Sequence, residues 1–285
     1  MAHVDAANEE SLRAWDGVLF DRFVQFKDLV VDGLSRHGEE ALLREPPQAG
    51  ERVLDIGCGF GDSADRIAAY VGETGSVLGV DVAPRFVEAA RDAYARPNVH
   101  FEVCDVQRAT FDETFDYAFS RFGTMFFASP VAALRNVHRA LAPGGRLCIV
   151  VWRRREHNEW LHRAEVAVKP HVPEPEADTG AARCGPGPFS MANADTVTEI
   201  LQSAGFTHVR LERCDLPYRI GKELDEAVEF NLALGPAAEA IRLAGEAAAA
   251  LRPELEGLLR AALADLESDD GVVARSSTWI VTARA

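Results

Sequence analysis

The sequence predicts a doubly wound α/β fold, and three observations carry that expectation. Strand-like and helix-like stretches alternate from Arg52 to Trp152, at the spacing of a parallel sheet with crossover helices. A glycine turn, Gly57-Cys58-Gly59-Phe60-Gly61, directly follows the first strand-like run and leads into a stretch of helical periodicity. Strand, glycine turn and helix in that order form the opening unit of a nucleotide-type fold, in which a ligand approaches the backbone closely. Proline and glycine punctuate the stretch where connections are needed, at Gly72-Glu73-Thr74-Gly75, at Pro84 and at Pro143-Gly144-Gly145.

Taken in order, residues 1–47 form an N-terminal helical cap. Phe20, Phe23, Val24, Lys27, Val31 and Leu34 recur at helical spacing. Gly38 is expected to interrupt the helix, residues 39–44 to add about one turn, and Pro46-Pro47 to end it. Residues 48–152 are the α/β core. Its strands are expected at 53–56, 77–80, 99–103, 115–120 and 146–152, and its helices at 64–71, 84–95 and 131–141. Residues 153–192 carry Pro170, Pro173, Pro175, Gly180 and Gly185-Pro186-Gly187-Pro188, too long a run for an idle connection, and read as a lid-like loop. Residues 193–285 complete the fold, with a helix at 195–204, a strand at 208–213, a helical insertion at about 222–266 and a closing strand at 277–283.

The net charge of -15 argues against a nucleic-acid partner, because phosphate binding depends on a basic surface. No apolar run approaches the ~20 residues that cross a bilayer. The start, MAHVDAANEESLRAW, lacks a charged-then-apolar leader pattern, so the expected location is the cytoplasm. The five cysteines (Cys58, Cys104, Cys148, Cys184, Cys214) include no CxxC pair and read as free thiols, with no metal site expected.

The charges beside the glycine turn select its ligand. Asp55 stands before it and Asp62 directly after it. Two carboxylates would repel a pyrophosphate, at about 1 kcal/mol per pair at ~4 Å in water and several times that when partly buried. S-adenosylmethionine carries an ammonium and a sulfonium instead. Asp81, ending the second strand, has two acceptor oxygens suited to a ribose diol; it equally suits the cap of the helix that starts at Pro84. Asp105 after the third strand can accept the adenine amine, with Val106 against the ring. Ser120-Arg121-Phe122 ends the fourth strand and should border the ligand crevice.

At this point VLDIGCGFG, VLGVD, VCD, FDYAFSRFGTMFF and LRNVHRALAPGGRLCIVVW resemble, in register, the motifs of class I S-adenosylmethionine-dependent methyltransferases. Within that class they resemble the broad small-molecule group similar to the ubiquinone/menaquinone C-methyltransferases. The resemblance covers residues 51–152. It implies a Rossmann-like seven-stranded sheet with the last strand antiparallel. It also implies that Asp55, Gly57, Gly59, Phe60 and Gly61 hold the amino-acid end of the cofactor. Asp81 and Val82 would then take the ribose, Asp105 and Val106 the adenine, and Ser120 and Arg121 the reactive end. No Asn-Pro-Pro-Tyr follows the fourth strand, which speaks against nucleobase or amide methylation.

Methyl transfer from a sulfonium requires alignment and exclusion of water more than it requires a catalytic triad. Trp15, Phe20, Phe23, Phe122, Phe126 and Trp152 are candidate walls for a small apolar or aromatic acceptor, and equally candidates for core packing. Arg121 is the candidate for an acceptor anion, or a salt bridge at the sheet edge. His157 is the candidate general base, or a surface residue of the lid. Two other readings stand beside methyl transfer: an NAD-dependent oxidoreductase and a non-catalytic S-adenosylmethionine-binding protein.

Overall fold

The computed structural model describes residues 9–173 and 186–285. Its sheet contains β1 (Arg52–Ile56), β2 (Ser76–Asp81), β3 (Val99–Val103), β4 (Phe115–Arg121), β5 (Leu141–Trp152), β6 (Thr207–Gly221), β7 (Glu267–Ser268) and β8 (Gly271–Arg284). The order is β3-β2-β1-β4-β5-β8-β6, with the two-residue β7 paired to β8 off that path. The pairs among β1 to β5 are parallel, while β8 runs antiparallel to both β5 and β6. This is the seven-stranded, Rossmann-like path with an antiparallel last strand, plus one short addition. The continuous apolar run from Leu147 to Trp152 follows from position: β5 is covered on both faces and buried throughout that run.

The crossover helices are α4 (Asp62–Val71), α5 (Pro84–Ala93) and α6 (Pro130–Ala140), and α8 (Ala194–Ala204) precedes β6. Asn193 caps α8 by accepting from the amides of Asp195 at 2.8 Å and Thr196 at 3.4 Å. Gly205, left-handed at φ 110°, ends it. One connection differs from expectation. Pro143-Gly144-Gly145 does not separate α6 from β5, because β5 starts at Leu141 and absorbs those residues as a register shift against β4. The amide of Gly144 and the carbonyl of Gly145 pair with Ala285, so the irregular residues keep main-chain partners.

The cap consists of α1 (Glu9–Ala14), α2 (Phe20–Gln25) and α3 (Lys27–Arg44). Its breaks fall at Gly17, whose backbone is non-helical, and at Phe26, whereas α3 runs unbroken through Gly38. The reason is packing. A β-carbon on Gly38 would lie 2.9 Å from Arg121 Cδ, so this glycine is there for its missing side chain.

Beyond β5, the region expected as a lid contains a helix, α7 (Glu159–Val168). Trp160, Leu161, Ala164 and Val168 form its buried stripe, a helical period obscured by the surrounding prolines and glycines. Pro175, Gly180, Cys184 and Gly185 of that region, and residues 1–8 of the cap, lie outside the described residues. The insertion forms α9 (Leu224–Ala233), α10 (Pro236–Leu243), α11 (Glu246–Ala249) and α12 (Arg252–Leu263). Ala164 and Val168 of α7 share a small core with Val228, Leu232, Ala237, Leu255 and Leu259, so the two regions build one helical unit. Both final strands are longer than expected. β5 ends at Trp152 opposite Thr278, while β6 and β8 continue pairing from Asp215–Ser277 to Gly221–Val272. That two-stranded ribbon projects past the sheet, beside the helical unit.

Candidate cofactor and acceptor site

The glycine turn sits where β1 ends. The amides of Gly57 and Cys58 both donate to Val80 O, at 2.8 and 3.0 Å, which folds the turn against β2. Gly57 packs on Gly123, and Gly61 on Ala90 and Phe101, leaving no room for a β-carbon at either. Gly59 differs: its φ is 53° and a β-carbon there would meet nothing within 4 Å. The outer glycines close the turn; the middle one faces open space, where a ligand can approach the main chain.

Asp55 is 1% exposed, and its Oδ2 has no hydrogen-bond partner. Burial pushes its carboxyl up to about 7; Arg121 pulls it down, and Asp62 and Asp81 push it further up. Half-buried Asp81 accepts from the amides of Gly59 at 3.1 Å and Ala83 at 3.0 Å, one on each oxygen. Burial raises its carboxyl as well, against the pull of those amides. Each oxygen keeps a lone pair, so the capping and ribose readings of Asp81 are compatible. Val82 follows it, half-buried. Asp105 and Val106 are buried, and Asp105 Oδ1 accepts from the amide of Gln107 at 3.0 Å. Asn136 fixes this turn by donating to the carbonyls of Val106 at 3.0 Å and Gln107 at 2.8 Å.

Asp62 does not act as a second unpaired anion, contrary to the reading of its charge from sequence. Arg121 grips it in a two-pronged ion pair, Nη1–Oδ2 at 2.7 Å and Nη2–Oδ1 at 2.8 Å. Burial opposes the charge on Asp62, yet Arg121 and the Ser35 hydroxyl hold the carboxyl below its ordinary range. The guanidinium of Arg121 is therefore engaged within the protein. Ser120 is fully buried and donates to Ile56 O at 2.7 Å, so its hydroxyl ties β4 to β1.

The candidate wall residues separate into two groups. Trp15, Phe20, Phe23 and Phe126 gather with Phe60 of the glycine turn and Phe86 of α5. Trp15 touches Phe126 at 4.8 Å and Phe86 at 6.3 Å, bridging the end of β4 and the start of α5. Phe20 and Phe23 meet Phe86 at 4.9 and 6.0 Å, and Phe60 meets it at 5.0 Å. Polar contacts fasten the cap there. Asp16 accepts from the amide of Arg85 at 2.8 Å, and the Arg85 guanidinium reaches Asp21 at 2.7 Å. Phe122 and Trp152 belong to the second group, stacked at 4.1 Å, with Trp152 next to Trp160 and Trp160 stacked on Tyr218 at 4.3 Å. Phe122 holds φ at 61°, a strained value for a side chain of its size. His37 stands edge-on to both rings of the first pair. It is hydrogen-bonded to Ser276 at 2.7 Å and Thr278 at 3.0 Å, and burial depresses it to about 3, so it is neutral.

His157 is not brought to this place. It lines a cleft of about 290 Å³ with Arg153, Arg154, Trp279 and the start of α8. Trp279 and the His37-bonded Thr278 are adjacent on β8 and so point to opposite faces of the sheet. Sequence reasoning missed Phe86, His37, Trp160 and Tyr218. Phe86 alone had a local signal, as an apolar residue in the first turn after Asp81.

An open main chain at Gly59, a buried carboxylate oxygen without a partner and a half-buried carboxylate beyond it suit a ligand with an ammonium and a diol. Residues 53–145 match the family model described as a methyltransferase domain. The α/β core thus carries a methyltransferase domain, and its sheet path is that of the class I S-adenosylmethionine-dependent methyltransferases, the class whose cofactor is S-adenosylmethionine.

Among curated proteins, the chain is similar to the ubiquinone/menaquinone biosynthesis C-methyltransferase of Cellvibrio japonicus. The identity is 35% over 122 residues, covering 41% of this chain and 49% of that protein. It is 30% identical over 153 residues to the 2-phytyl-1,4-naphtoquinone methyltransferase of a Nostoc species, covering 50% of this chain and 66% of that one. It is 38% identical over 105 residues to the aklanonic acid methyltransferase of a Streptomyces species, covering 35% and 48%. The matches thus span about half to two thirds of those relatives. Among solved structures, the YcgJ protein of Bacillus subtilis superposes with a TM-score of 0.55 at 17% identity, covering 88% of this chain and 98% of that one. Phosphoethanolamine N-methyltransferase 2 of Haemonchus contortus, solved with S-adenosyl-L-methionine, superposes at 0.50 and 21% identity, covering 87% and 52%. At those identities the likeness is one of fold. Among the described residues no helix is long and apolar enough to cross a membrane, no group of three or more acidic, histidine or cysteine side chains is placed to hold a metal, and four cysteines are free.

Proposed function

We propose that this protein transfers a methyl group from S-adenosylmethionine to a small apolar or aromatic acceptor. The observation that carries this reading is the unpartnered Oδ2 of Asp55 at the end of β1, in the strand that feeds the open Gly59. A buried carboxylate left without a partner is costly, and a cationic ligand removes that cost. When bound, the cofactor supplies an activated methyl group on a sulfonium. Asp55 holds the ammonium, Asp81 the ribose hydroxyls, and the Asp105-Val106 turn the adenine. Trp15, Phe20, Phe23 and Phe126 exclude water and line the acceptor side. Relatives named for ubiquinone/menaquinone biosynthesis and for aklanonic acid support a small-molecule acceptor here. The acceptor enters as its anion, its proton given up to solvent before the site closes, and His157 lies on a separate cleft.

Calorimetry with S-adenosylmethionine, S-adenosylhomocysteine and NAD tests the donor. Binding of the first two without NAD is expected; binding of NAD alone overturns the reading. Incubation with a panel of quinols, phenols and aromatic polyketides, read by mass spectrometry for one added methylene, tests turnover. Cofactor binding with no product across the panel would favour a non-catalytic binding protein.

A further inference from the structure

The charge on Asp55 decides whether the glycine turn can hold a cation, and one buried countercharge is placed to control it. Asp55 pairs in register with Phe119 across β1 and β4. Side chains alternate along a strand, so Arg121, two residues beyond Phe119, lies on the face of the sheet that Asp55 occupies. Arg121 does not turn toward Asp55; its fork closes on Asp62, at 2.7 and 2.8 Å, with both side chains 15% exposed or less. The cap completes this arrangement. Ser35 of α3 donates to Asp62 Oδ2 at 3.1 Å and accepts from Arg121 Nη1 at 3.2 Å, and Gly38, three residues on, makes room for the arginine stem.

We propose that the Arg121–Asp62 pair is a positioning element that sets the charge state of Asp55, and with it the pH range in which the glycine turn accepts its cationic ligand. The ligand part rests on the S-adenosylmethionine reading above; the coupling between the three side chains does not. The charged groups that act on Asp55 across the site are Arg121 from β4, Asp62 from α4 and Asp81 from β2, with Cys58 in the turn, whose buried thiol stays protonated. Arg121 is the cation among them. Lys27 of α3 faces the turn over the Phe60 ring, 4.8 Å from its centre, and His37 of the same helix is neutral. Tyr94 and Tyr218 sense Arg121 from the end of α5 and from β6, and burial keeps both protonated.

Removing either partner should act on Asp55 in opposite directions. Arg121→Gln leaves Asp62 as an uncompensated anion, so Asp55 ionises at higher pH. Asp62→Asn leaves the guanidinium uncompensated, so Asp55 ionises at lower pH. The double variant returns toward the wild type. Two measurements read this: the carboxyl carbon shift of Asp55 against pH in the ligand-free protein, and the Kd of S-adenosylhomocysteine between pH 5.5 and 9. For each unit that the titration moves up, binding below the midpoint weakens about tenfold. Arg121→Gln should therefore weaken binding most at pH 6 and converge on wild type at pH 9, while Asp62→Asn flattens the profile. Should Arg121→Gln not fold, Asp62→Asn and Arg121→Lys decide, the latter keeping the wild-type midpoint. An Asp55 titration that neither variant moves, or a Kd raised by the same factor at every pH, overturns the proposal and leaves the pair structural. Opposite shifts of Asp55 in a protein that binds neither cofactor form would uphold the coupling and overturn the functional reading instead.

Discussion

Tyr218 of β6 lies against Gly33 of α3, so close that a β-carbon on the glycine would sit 2.2 Å from the ring's Cζ. The ring is fully buried, stacked on Trp160 on its other side, and has nowhere to retreat. Gly33→Ala should therefore destabilise the protein by about 1–3 kcal/mol or more, the usual range for an overpacked core. Gly257→Ala provides the contrast. That glycine is exposed inside α12 with nothing near a new β-carbon, so the change should stabilise by roughly 0.5–1 kcal/mol. Urea unfolding of both variants checks the pair, and equal effects would refute the packing argument.

Asp81→Ala should weaken S-adenosylmethionine binding by about 1.5–3 kcal/mol, the cost of losing a charged hydrogen-bond partner. Asp81 also fixes Gly59 through the 3.1 Å amide bond, so Asp81→Asn, which keeps one acceptor, should lose less. Calorimetric Kd values decide; an unchanged value for the alanine variant removes Asp81 from the ribose role.

The buried carboxyl of Asp55 makes stability depend on pH. Its folded value, raised to about 7, exceeds the ~3.9 of an unfolded chain. The folded state thus binds this proton more tightly, so the contribution is fully present below about pH 4 and is lost as pH rises through about 7. The ligand-free protein should lose up to a few kcal/mol between pH 5 and 8 on this account. Denaturant midpoints across that range should fall for the wild type and fall less for Asp55→Asn. Saturating cofactor should flatten the wild-type curve by compensating the ionised form.

Trp15 bridges Phe86 and Phe126 and is the ring through which the cap spans the site. Trp15→Ala should speed proteolytic cleavage between residues 9 and 26 several-fold while the main thermal transition stays in place, as expected when only a local element is loosened. A uniform loss of thermal stability would show that the cap is integral to the core.

What could be read from the sequence was whatever short-range pattern encodes. Val53 to Ile56, the three glycines and Asp81 stand within about thirty residues, and each carries its own signal in periodicity or turn chemistry. Contacts made across the chain left no such trace. The Arg121–Asp62 pair spans 59 residues and the His37–Ser276 bond 239, so Asp62 reads as an unpaired anion until the fold is known. Gly38 was misread for a related reason: the residue that requires its small size, Arg121, is far away in sequence. α7 was hidden by composition, since the apolar stripe of Trp160, Leu161, Ala164 and Val168 is shorter than the proline-rich run around it.

The helical unit bears on the order in which the molecule assembles. Its core joins Ala164 and Val168 to Leu255 and Leu259, so the chain leaves the unit after α7, lays down α8 and β6, and only then returns. The unit cannot be completed from one continuous segment; joining Val168 to Val228 means closing a loop of about sixty residues, an entropic cost best met after the sheet has brought both ends together. The α/β core should accordingly form first and the helical unit dock late. Late docking leaves that unit free to vary in sequence without disturbing the nucleus on which the candidate donor site depends.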